Sequence, residues 1–454
     1  MLVDRRRGVD KVVARLIIVL SSGTIALTTW ISFRTWDAMV RFVLHPLRLQ
    51  EVHALLTGLL SSNLMVLQVI FMARLPWLER AWGRRMIMQW HRRLGYWSFW
   101  LMVAHVLLFV LQRSLRDPAR PGLALWQLFV AEPWMLPASI GTLLVLAVVA
   151  SSIASARRKL RYETWHLIHL WAYVGMGLAL PHQLVSRDFM IGWTTIYWWT
   201  LYLLALASVL CIRVGLPVFR SVYHHLRVSE VRVESTKTVS VIMEGRRLGR
   251  LRSRSGQFFV WRFLGSPGRS RGHPYSMSQA PTGDRLRVTV DTSGDGGRRA
   301  AGLRVGSRVL IEGPYGAVIA DRRRHRRMLM SAAGVGITPF RSIVEDHPLH
   351  PGEATLIYRF HDQDQLVFGG ELQELADRRG VQLVLLIGPR RSDWSWLPAG
   401  TGLDDAAALH ELVPDVSDRD VFLCGPSDWV TAAHRAARAA GVAARDLHTE
   451  DFSW

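Results

Sequence analysis

The 454-residue sequence has very little cysteine and lysine: it holds 2 cysteines, and lysine occurs only at Lys11, Lys159 and Lys237. The two cysteines, Cys211 and Cys424, exclude a disulfide framework and a cysteine-built metal cluster. Internal repeats and low-complexity tails are also missing, which argues against a repeat fold. Because lysine is scarce, arginine carries almost all of the formal net charge of +20.

The excess of arginine fits two classes of protein, one that binds nucleic acid and one that sits in a membrane. Nucleic-acid binding predicts a basic stripe on a soluble fold. Here half of the residues are hydrophobic, and many arginines flank apolar runs. This combination is typical of a membrane protein with basic cytoplasmic edges, and we expect no nucleic-acid partner.

Apolar runs predict six membrane-spanning helices in the first half of the chain. Each run is close to the ~20 residues that cross a bilayer. The first run lacks a clear small-residue cleavage site, so we expect a retained helix rather than a signal peptide. The runs lie near residues 12–33, 51–73, 90–112, 134–156, 164–184 and 191–215.

The distribution of basic residues predicts the orientation of these helices. Arginine and lysine concentrate before the first run, between the second and third, and between the fourth and fifth. Such an excess marks cytoplasmic loops. We therefore expect a multi-pass protein of the cell membrane with both termini in the cytoplasm and residues 1–222 in contact with the lipid bilayer.

Two of the predicted helices carry paired histidines. His91 and His105 are separated by about 1,400° of an ideal helix, so they share one face at two depths about 21 Å apart. His169 and His182 are thirteen residues apart on a helix that runs in the same direction. Thirteen residues place them off a common face, and Pro181 is a candidate for the distortion that would correct this. The pairs His91/His169 and His105/His182 then offer two imidazole nitrogens to each of two haem irons.

The alternative is that these are core or interfacial histidines satisfied by hydrogen bonds. Ionisable residues inside membrane helices usually face the bundle interior and have a function. Four histidines at paired spacings favour the haem interpretation over the alternative. No second histidine lies at a depth that matches His166, one turn from His169, and we do not assign His166 as a ligand.

The sequence pattern changes after residue 222. Short alternating segments separated by turns predict a small antiparallel β-barrel over residues 223–323. From residue 324 to 454, strand-like segments alternate with helical ones, which predicts an α/β domain with a parallel sheet. The predicted fold is therefore a multi-domain membrane protein: a six-helix transmembrane bundle, a β-barrel domain and an α/β domain.

The segment RGHPYSMSQAP, residues 271–281, lies between two predicted barrel strands. A tyrosine ring there can lie against an isoalloxazine, Ser276 can bond the flavin edge, and His273 can approach the phosphates. An ordinary turn is the alternative. The segment SGDGGRR, residues 293–299, offers backbone N–H groups at a predicted helix start, which suits a pyrophosphate.

The segment SAAGVGITPF follows a predicted strand and opens a predicted helix. Gly334 and Gly336 allow the backbone to approach a dinucleotide phosphate, and Pro339 fits the first helical turn. The segment CGP, residues 424–426, ends a later strand at the same carboxyl edge of the sheet. Together the two segments predict a nicotinamide dinucleotide site.

With these motifs in this order, the chain resembles the ferric reductase and NADPH oxidase superfamily, a haem-binding membrane domain fused to a ferredoxin–NADP reductase-like module. The resemblance covers almost the whole chain. It implies an FAD site at residues 273–276 and 293–299 and a nicotinamide site at the other two segments. The implied cofactor-binding residues are His273, Pro274, Tyr275, Ser276, Gly294, Gly296, Gly297, Gly334, Gly336, Thr338, Pro339, Cys424, Gly425 and Pro426.

Members of the family often end in an acidic residue and an aromatic that covers the flavin. The resemblance therefore implies catalytic roles for Phe452, Ser276 and Cys424. Trp454 is the second candidate for the aromatic that covers the flavin. Two positions depart from the pattern. His273 stands where soluble relatives usually have arginine, and Gly297 replaces a frequent hydroxyl residue of the phosphate loop.

The expected function is electron transfer from cytoplasmic NAD(P)H through FAD and two b-type haems to an external acceptor. Ferric chelates are the favoured acceptor, and dioxygen with superoxide formation is the alternative. A second alternative is an electron-relay subunit for an extracytoplasmic protein partner. The outer arginines Arg34 and Arg113 could attract an anionic acceptor or anchor lipid headgroups.

The choice between NADPH and NADH depends on arginines near the strand ends. Arg359 ends one predicted strand, and Arg390 and Arg391 follow another. A guanidinium binds a phosphate in a planar fork, so one of these is expected to meet the 2′-phosphate of NADPH. The alternative is that they are surface residues of an arginine-rich chain.

Overall fold

The computed structural model describes residues 46–451 apart from 117, 161, 186–191, 265–271, 282 and 317–322, with isolated positions before residue 46. The chain divides into two compact units, Met1–Arg213 and Val214–Trp454. The division between the two units lies after Arg213, and the expected boundary at 222 stays a prediction.

The described part of the first unit is helical. Its helices are α1 (Pro46–Met72), α2 (Pro76–Arg116), α3 (Pro121–Ala131), α4 (Met135–Ser152), α5 (Ala154–Lys159), α6 (Tyr162–Leu184) and α7 (Gly192–Ala207). The short helix α3, with the sequence PGLALWQLFVA, was not predicted. After α7 the chain continues as a π-helix over Ser208–Gly215 and as α8 over Leu216–His224.

Four described helical segments are long and apolar enough to cross a membrane, which makes the first unit a membrane domain. The predicted run 12–33 lies outside the described residues except for isolated positions. The run 164–184 forms α6, which is not among the four because its histidines and other polar residues lower its hydropathy. The count of six crossings stays a prediction. The four segments are His53–Met72, Met86–Leu115, Met135–Ser152 and Thr195–His224.

The membrane helices pack in pairs: α1 lies along α2 and against α7, and α4 lies along α6. Glycine allows the second pair to approach closely. A Cβ added at Gly175 would lie 2.8 Å from the carbonyl oxygen of Gly141, so neither position has room for a side chain. Such small-residue contacts are a common means of packing membrane helices.

The second unit begins with antiparallel strands β1 to β6, which form two three-stranded sheets in the orders β1-β2-β5 and β4-β3-β6. Isolated bridges, Met277 to Val288 and Arg227 to Arg308, add backbone pairing outside the named strands. The alternating segments of residues 223–323 form strands, and the motif HPYS adds a short one. The strands are β1 (Arg227–Ser235), β2 (Thr238–Glu244), β3 (Phe258–Phe263), β4 (His273–Ser276), β5 (Arg285–Asp291) and β6 (Val309–Tyr315).

The remainder of the second unit is a five-stranded parallel sheet in the order β11-β10-β7-β8-β9. Its central strands β7 and β10 are buried along their whole length, as expected when helices cover both faces. The edge strand β11 was not predicted, because its sequence LHTED is mostly polar. The strands are β7 (Met328–Ala333), β8 (Ala354–Phe360), β9 (Gln382–Ile387), β10 (Asp420–Gly425) and β11 (Leu447–Asp451).

Helices connect these strands of the second unit. They are α9 (Asp295–Ala301), α10 (Thr338–Asp346), α11 (Gly369–Arg379), α12 (Asp405–Leu412) and α13 (Ser427–Ala439). Apolar side chains of α10 and α11 pack on one face of the parallel sheet, and those of α12 and α13 pack on the other. The helices therefore leave uncovered the side of the sheet at which the strands end. Ligands bind at these carboxyl ends in folds of this kind.

Candidate functional site

The flavin motif HPYS forms β4, which pairs antiparallel with β3. The indole Nε1 of Trp261 donates a hydrogen bond to the carbonyl oxygen of Tyr275 at 2.9 Å, which fixes the backbone of the motif. The ring of Tyr275 stacks on that of His273 with centroids 5.8 Å apart and an interplanar angle of 6°. Ser276 is buried, whereas His273, Pro274 and Tyr275 are partly exposed.

The predicted phosphate loop lies directly against this strand. Gly294 caps the N-terminus of α9. A Cβ added at Gly296 would lie 2.6 Å from Tyr275 Oη and 2.7 Å from the His273 ring, so only glycine leaves both rings in place. The structure thus brings together the two segments that were expected to bind the FAD, and the cradle between them is one that a side chain at Gly296 would fill.

Gly297, which departs from the family pattern, is explained by packing. A Cβ at this position would lie 2.8 Å from the Cα of Thr292 and 2.6 Å from the carbonyl carbon of Asp291. A hydroxyl side chain therefore has no room here. A pyrophosphate at this loop would therefore meet backbone N–H groups rather than a side chain at position 297.

The nicotinamide motif occupies the carboxyl edge of the parallel sheet. After β7 the chain turns at Gly334, whose φ of +56° is one that glycine adopts without strain. Gly336 packs on the end of β10: a Cβ there would collide with the carbonyl of Cys424 and lie 2.9 Å from the Cα of Gly425. The two segments GVGITP and CGP therefore meet at one point of the edge. Thr338 and Pro339 lie buried in the first turn of α10.

Three arginines were candidates for a 2′-phosphate. Arg390 is held by the protein: its Nη1 pairs with Asp428 at 2.6 Å and its Nε donates to the Ser395 carbonyl at 2.5 Å. Arg391 is held similarly by Asp405, at 2.8 Å.

Arg359 differs from these two arginines. Its Nη2 donates to the Gly388 carbonyl at 2.9 Å, but its buried Nε lacks a hydrogen-bond partner among the described residues. Burial and the neighbouring charge of Arg390 lower the pKa of Arg359. An anion bound here would offset both effects.

In the membrane domain, the structure brings His91 and His169 together. Their ring centroids are 6.0 Å apart at an interplanar angle of 68°. His91 Nδ1 is buried without a hydrogen-bond partner in the described part of the chain. Trp165 covers the other face of His169 with ring centroids 5.0 Å apart. Two neighbouring imidazoles are the donor set of a two-histidine haem site.

The outer pair, His105 and His182, lies within electrostatic range of each other. His105 Nδ1 bonds to the Ala54 carbonyl at 2.7 Å, and His182 Nδ1 bonds to the Ala179 carbonyl. Because a carbonyl only accepts, each Nδ1 carries the proton, and each Nε2 keeps its lone pair for a metal. Gly58 makes room for His105, since a Cβ there would lie 2.5 Å from its ring.

The described residues contain no group of three or more His, Cys, Asp or Glu side chains arranged to hold a metal ion. Ligation of a haem iron by two histidines needs only a pair of side chains, so the observed histidine pairs fit a haem. The aromatic candidates for covering the flavin, Phe452 and Trp454, lie outside the described residues.

Sequence reasoning did not find the residues that support these sites. Gly58, Trp165 and Trp261 act through contacts between segments far apart in the sequence, as the distances above show. Two buried arginines, Arg287 and Arg341, were missed as well, although a buried arginine normally signals a partner.

Two family models match the chain. Residues 57–180 match the ferric reductase like transmembrane component, and residues 330–435 match the oxidoreductase NAD-binding domain. The first range covers most of the described membrane helices, and the second covers β7 to most of α13. The order of the two domains is the one expected from the sequence.

Curated relatives match the second half of the chain. The ferredoxin reductase component of 3-ketosteroid-9-alpha-monooxygenase from Mycolicibacterium smegmatis is 33% identical over 237 residues, which cover 50% of this chain and 65% of that protein. A flavohemoprotein from Chromobacterium violaceum is 28% identical over 246 residues, which cover 50% of this chain and 59% of that protein. The chain thus spans about three fifths of the length of these relatives.

Among solved structures, the flavohem-like FAD/NAD binding domain of nitric oxide dioxygenase from Vibrio cholerae matches with 22% identity and a TM-score of 0.42, covering 50% of this chain and 98% of that one. The family models give an oxidoreductase in which a membrane domain precedes an FAD- and NAD-binding reductase module, and the relatives match that module. This domain architecture matches that of the ferric reductase/NADPH oxidase superfamily.

Proposed function

We propose that the protein is a transmembrane oxidoreductase that passes electrons from cytoplasmic NAD(P)H, through FAD and two b-type haems, to an acceptor on the opposite side of the membrane. The cell interior is electrically negative, so outward movement of an electron gains about 2.3 kcal/mol per 100 mV. This orientation places both termini and the reductase unit in the cytoplasm. The favoured acceptor is a ferric chelate.

The reductase unit supplies two adjacent binding surfaces. His273, Tyr275 and the N-terminus of α9 would hold the FAD, with Ser276 at the flavin edge. Gly334, Gly336 and the first turn of α10 would receive the pyrophosphate of the nucleotide, and residues 424–426 would line the nicotinamide. When bound, FAD converts the two-electron hydride of NAD(P)H into single electrons that haem iron can carry.

In the membrane domain, His91 and His169 would hold the inner haem, and His105 and His182 would hold the outer one. The carbonyl oxygens of Ala54 and Ala179 fix the Nδ1 protons of the outer pair, which would leave Nε2 as the more basic nitrogen for a metal. Each haem would supply a one-electron carrier, and two imidazoles per iron would leave no open position for an acceptor to bind.

For the nucleotide, we propose NADPH with Arg359 at the 2′-phosphate. The donors of Arg390 are engaged by Asp428 and Ser395, whereas Arg359 keeps a buried Nε to satisfy. Arg390 contributes positive charge next to this site.

Two alternatives compete with the ferric chelate as electron acceptor. They are dioxygen, with superoxide as the product, and an extracytoplasmic protein. One relative of the reductase unit is named a ferredoxin reductase component, so the acceptor in its name is itself a protein. Among the outer arginines, Arg113 pairs with Glu132 at 3.2 Å, which weakens its expected attraction for an anion. Arg34 lies outside the described residues.

The observation that carries the proposal is the facing pair His91 and His169, 6.0 Å apart on helices of the domain attached to the reductase unit. The test uses the full chain in liposomes with a membrane-impermeant ferric chelate trapped inside. Added NAD(P)H should reduce the trapped iron. Superoxide without iron reduction would support the first rival, and no product until an outer protein is added would support the second.

A further inference from the structure

Two buried arginines join the antiparallel sheets of the second unit to its nicotinamide sheet. Arg287 lies on β5 and Arg341 on α10, and each side chain is 4% exposed. Both donate to Glu371 on α11: Arg287 Nη1 lies 3.1 Å from Oε1, and Arg341 Nη2 bonds to the same oxygen. Phe368 lies beneath both guanidinium groups. We name Arg287, Arg341 and Glu371 the arginine clamp.

The arginine clamp closes a ring of hydrogen bonds through the strand that leaves the flavin motif. Arg341 Nη1 donates to the Ser278 carbonyl at 2.9 Å. The Ser278 hydroxyl accepts from Thr289 at 2.7 Å, and Thr289 contacts the Ser240 hydroxyl at 2.7 Å. Arg287 Nε donates to the same Ser240 oxygen at 3.0 Å. The ring therefore ties the chain two residues beyond Ser276 to α10.

Three further bonds hold α10 against the backbone on both sides of the flavin strand pair. The Glu345 carboxylate accepts from the Ala280 N–H at 2.6 Å. The Ser342 hydroxyl accepts from the Gly256 N–H at 3.0 Å, two residues before β3 begins. The Asp346 carboxylate accepts from the hydroxyl of Ser255, the residue before Gly256, at 2.7 Å. Because α10 begins with the nucleotide turn, these bonds relate the nicotinamide site to the flavin site.

The charges of the arginine clamp give orientation more than stability. Burial raises the pKa of Glu371, but Arg341 and Arg287 outweigh burial and hold that pKa below its usual range, so the carboxylate stays ionised at neutral pH. A buried ion pair adds little net stability over a well-packed apolar replacement, because desolvation offsets the attraction. Forked guanidinium bonds, however, fix direction as well as distance.

We propose that Arg341 and Glu371 are positioning residues for hydride transfer, which set the distance between nicotinamide and flavin without touching either. The step moves one hydride, two electrons with one proton, from dihydronicotinamide to flavin, so the first is oxidised and the second reduced. A misplacement of about 1 Å in such a step can cost on the order of 100-fold in rate. This inference rests on the proposed NAD(P)H-to-FAD transfer.

The test compares Arg341→Met, Arg341→Lys and Glu371→Gln in the full-length, FAD-loaded protein. Anaerobic stopped-flow absorbance gives the limiting rate of flavin reduction and the apparent Kd for nucleotide. In Arg341→Met the rate should fall on the order of 10- to 100-fold, with Kd changed less than about threefold. The nicotinamide–flavin charge-transfer absorbance should weaken in parallel. Arg341→Lys should recover part of both, because one ammonium replaces one arm of the fork.

The matched control is Arg419→Met. Arg419 is also a buried arginine, but it pairs with Asp415 and donates to Thr355 at 3.0 Å, at the amino ends of the strands. If Arg341→Met loses FAD, Glu371→Gln decides. A limiting rate within about twofold of wild type in FAD-loaded clamp variants, or an equal loss in Arg419→Met, overturns the inference. Absence of flavin reduction in the wild type would instead defeat the proposed function.

Discussion

The imidazoles of His91 and His169 face each other in the membrane domain with ring centroids 6.0 Å apart. A bond from a metal to an imidazole nitrogen is about 2 Å long, as in zinc sites. Two such bonds, together with the half-width of each ring, account for a separation of this size. The spacing of the pair is therefore compatible with a single iron between the two histidines, and Trp165 packs against His169.

Replacing His169 with alanine should remove one haem per chain, because the inner iron loses one of its two imidazoles. The pyridine haemochrome assay should fall from about two haems per chain to about one. Flavin reduction by nucleotide should persist, since the reductase unit is untouched.

The matched control is His166→Ala, one turn away on α6, which should keep both haems. His166 lies beside the Trp165 ring, with centroids 6.5 Å apart, and is not assigned as a ligand. Unchanged haem content in His169→Ala would show that the ligand assignment is wrong.

Gly296→Ala should weaken FAD binding. The new Cβ would lie 2.6 Å from Tyr275 Oη, which forces the stacked rings of Tyr275 and His273 to move. Overpacking of this kind typically costs about 1–3 kcal/mol, which corresponds to roughly a 5- to 150-fold rise in Kd. Fluorescence titration of the apoprotein with FAD measures it.

The control for this change is Gly302→Ala at the exposed C-terminal end of the same helix, where the nearest atom to a new Cβ is 3.8 Å away. It should leave the FAD Kd unchanged. Equal affinity in Gly296→Ala and wild type would mean that the cradle between α9 and β4 does not hold FAD.

Much of the fold could be predicted from local patterns in the sequence. The parallel strands β7, β8 and β10 are continuous apolar runs, and each of the GVGITP and CGP motifs directly follows or ends one of them. The polar edge strand β11 carries no such run, and it forms because β10 offers it backbone partners from Leu447 to Asp451. The formation of β11 therefore depends on its tertiary neighbours, and local propensity could not predict it.

The candidate sites divide in the same way. The histidine spacing led to the pair His91 and His169, which the structure brings together. The arginines near the strand ends looked equivalent in the sequence, but Arg390 has a carboxylate partner 38 residues away at Asp428. Such pairing depends on which loops the sheet edge brings together, and sequence spacing carries no signal of it.

Gly336→Ala should impair nucleotide binding while FAD content stays constant. A side chain there collides with the Cys424 carbonyl and separates the turn from β10. The apparent Kd for NAD(P)H in stopped-flow flavin reduction should rise about 10-fold or more. Gly402→Ala, where a Cβ meets nothing within 4 Å, is the control and should behave as wild type. A normal Kd in Gly336→Ala would argue against a nucleotide site at this turn.

Ionised Asp420 should stabilise the reductase unit, and this contribution to the free energy of unfolding should be lost in acid. Burial raises the pKa of this carboxyl, but bonds from His448 and from the N–H groups of His325 and Arg324 outweigh burial and hold it below the usual range. Its contribution is therefore full above the unfolded pKa of about 3.9 and is lost as pH falls through the lower folded pKa.

In Asp420→Asn the amide nitrogen cannot accept these bonds. The free energy of unfolding should fall by about 1–3 kcal/mol at pH 7. The temperature of FAD release from the full chain, measured by flavin fluorescence from pH 7 to pH 3, reports both effects. Asp393→Asn, in an exposed loop, is the control. Equal release temperatures for Asp420→Asn and wild type at pH 7 would contradict the assigned role.

Arg359→Gln should reduce the preference for NADPH over NADH. Arg359 keeps a buried Nε without a protein partner in the described region, and its lowered pKa reflects burial and the charge of Arg390. A 2′-phosphate would satisfy that donor, so its loss should cost about 1.5–3 kcal/mol for NADPH and little for NADH. The ratio of flavin-reduction efficiencies for the two nucleotides should then fall roughly 10- to 100-fold.

The control is Arg391→Gln, which should leave the ratio unchanged because Asp405 holds the guanidinium of Arg391. Equal rates with both nucleotides in the wild type would rule out the preference itself, and an unchanged ratio in Arg359→Gln would assign it to another residue.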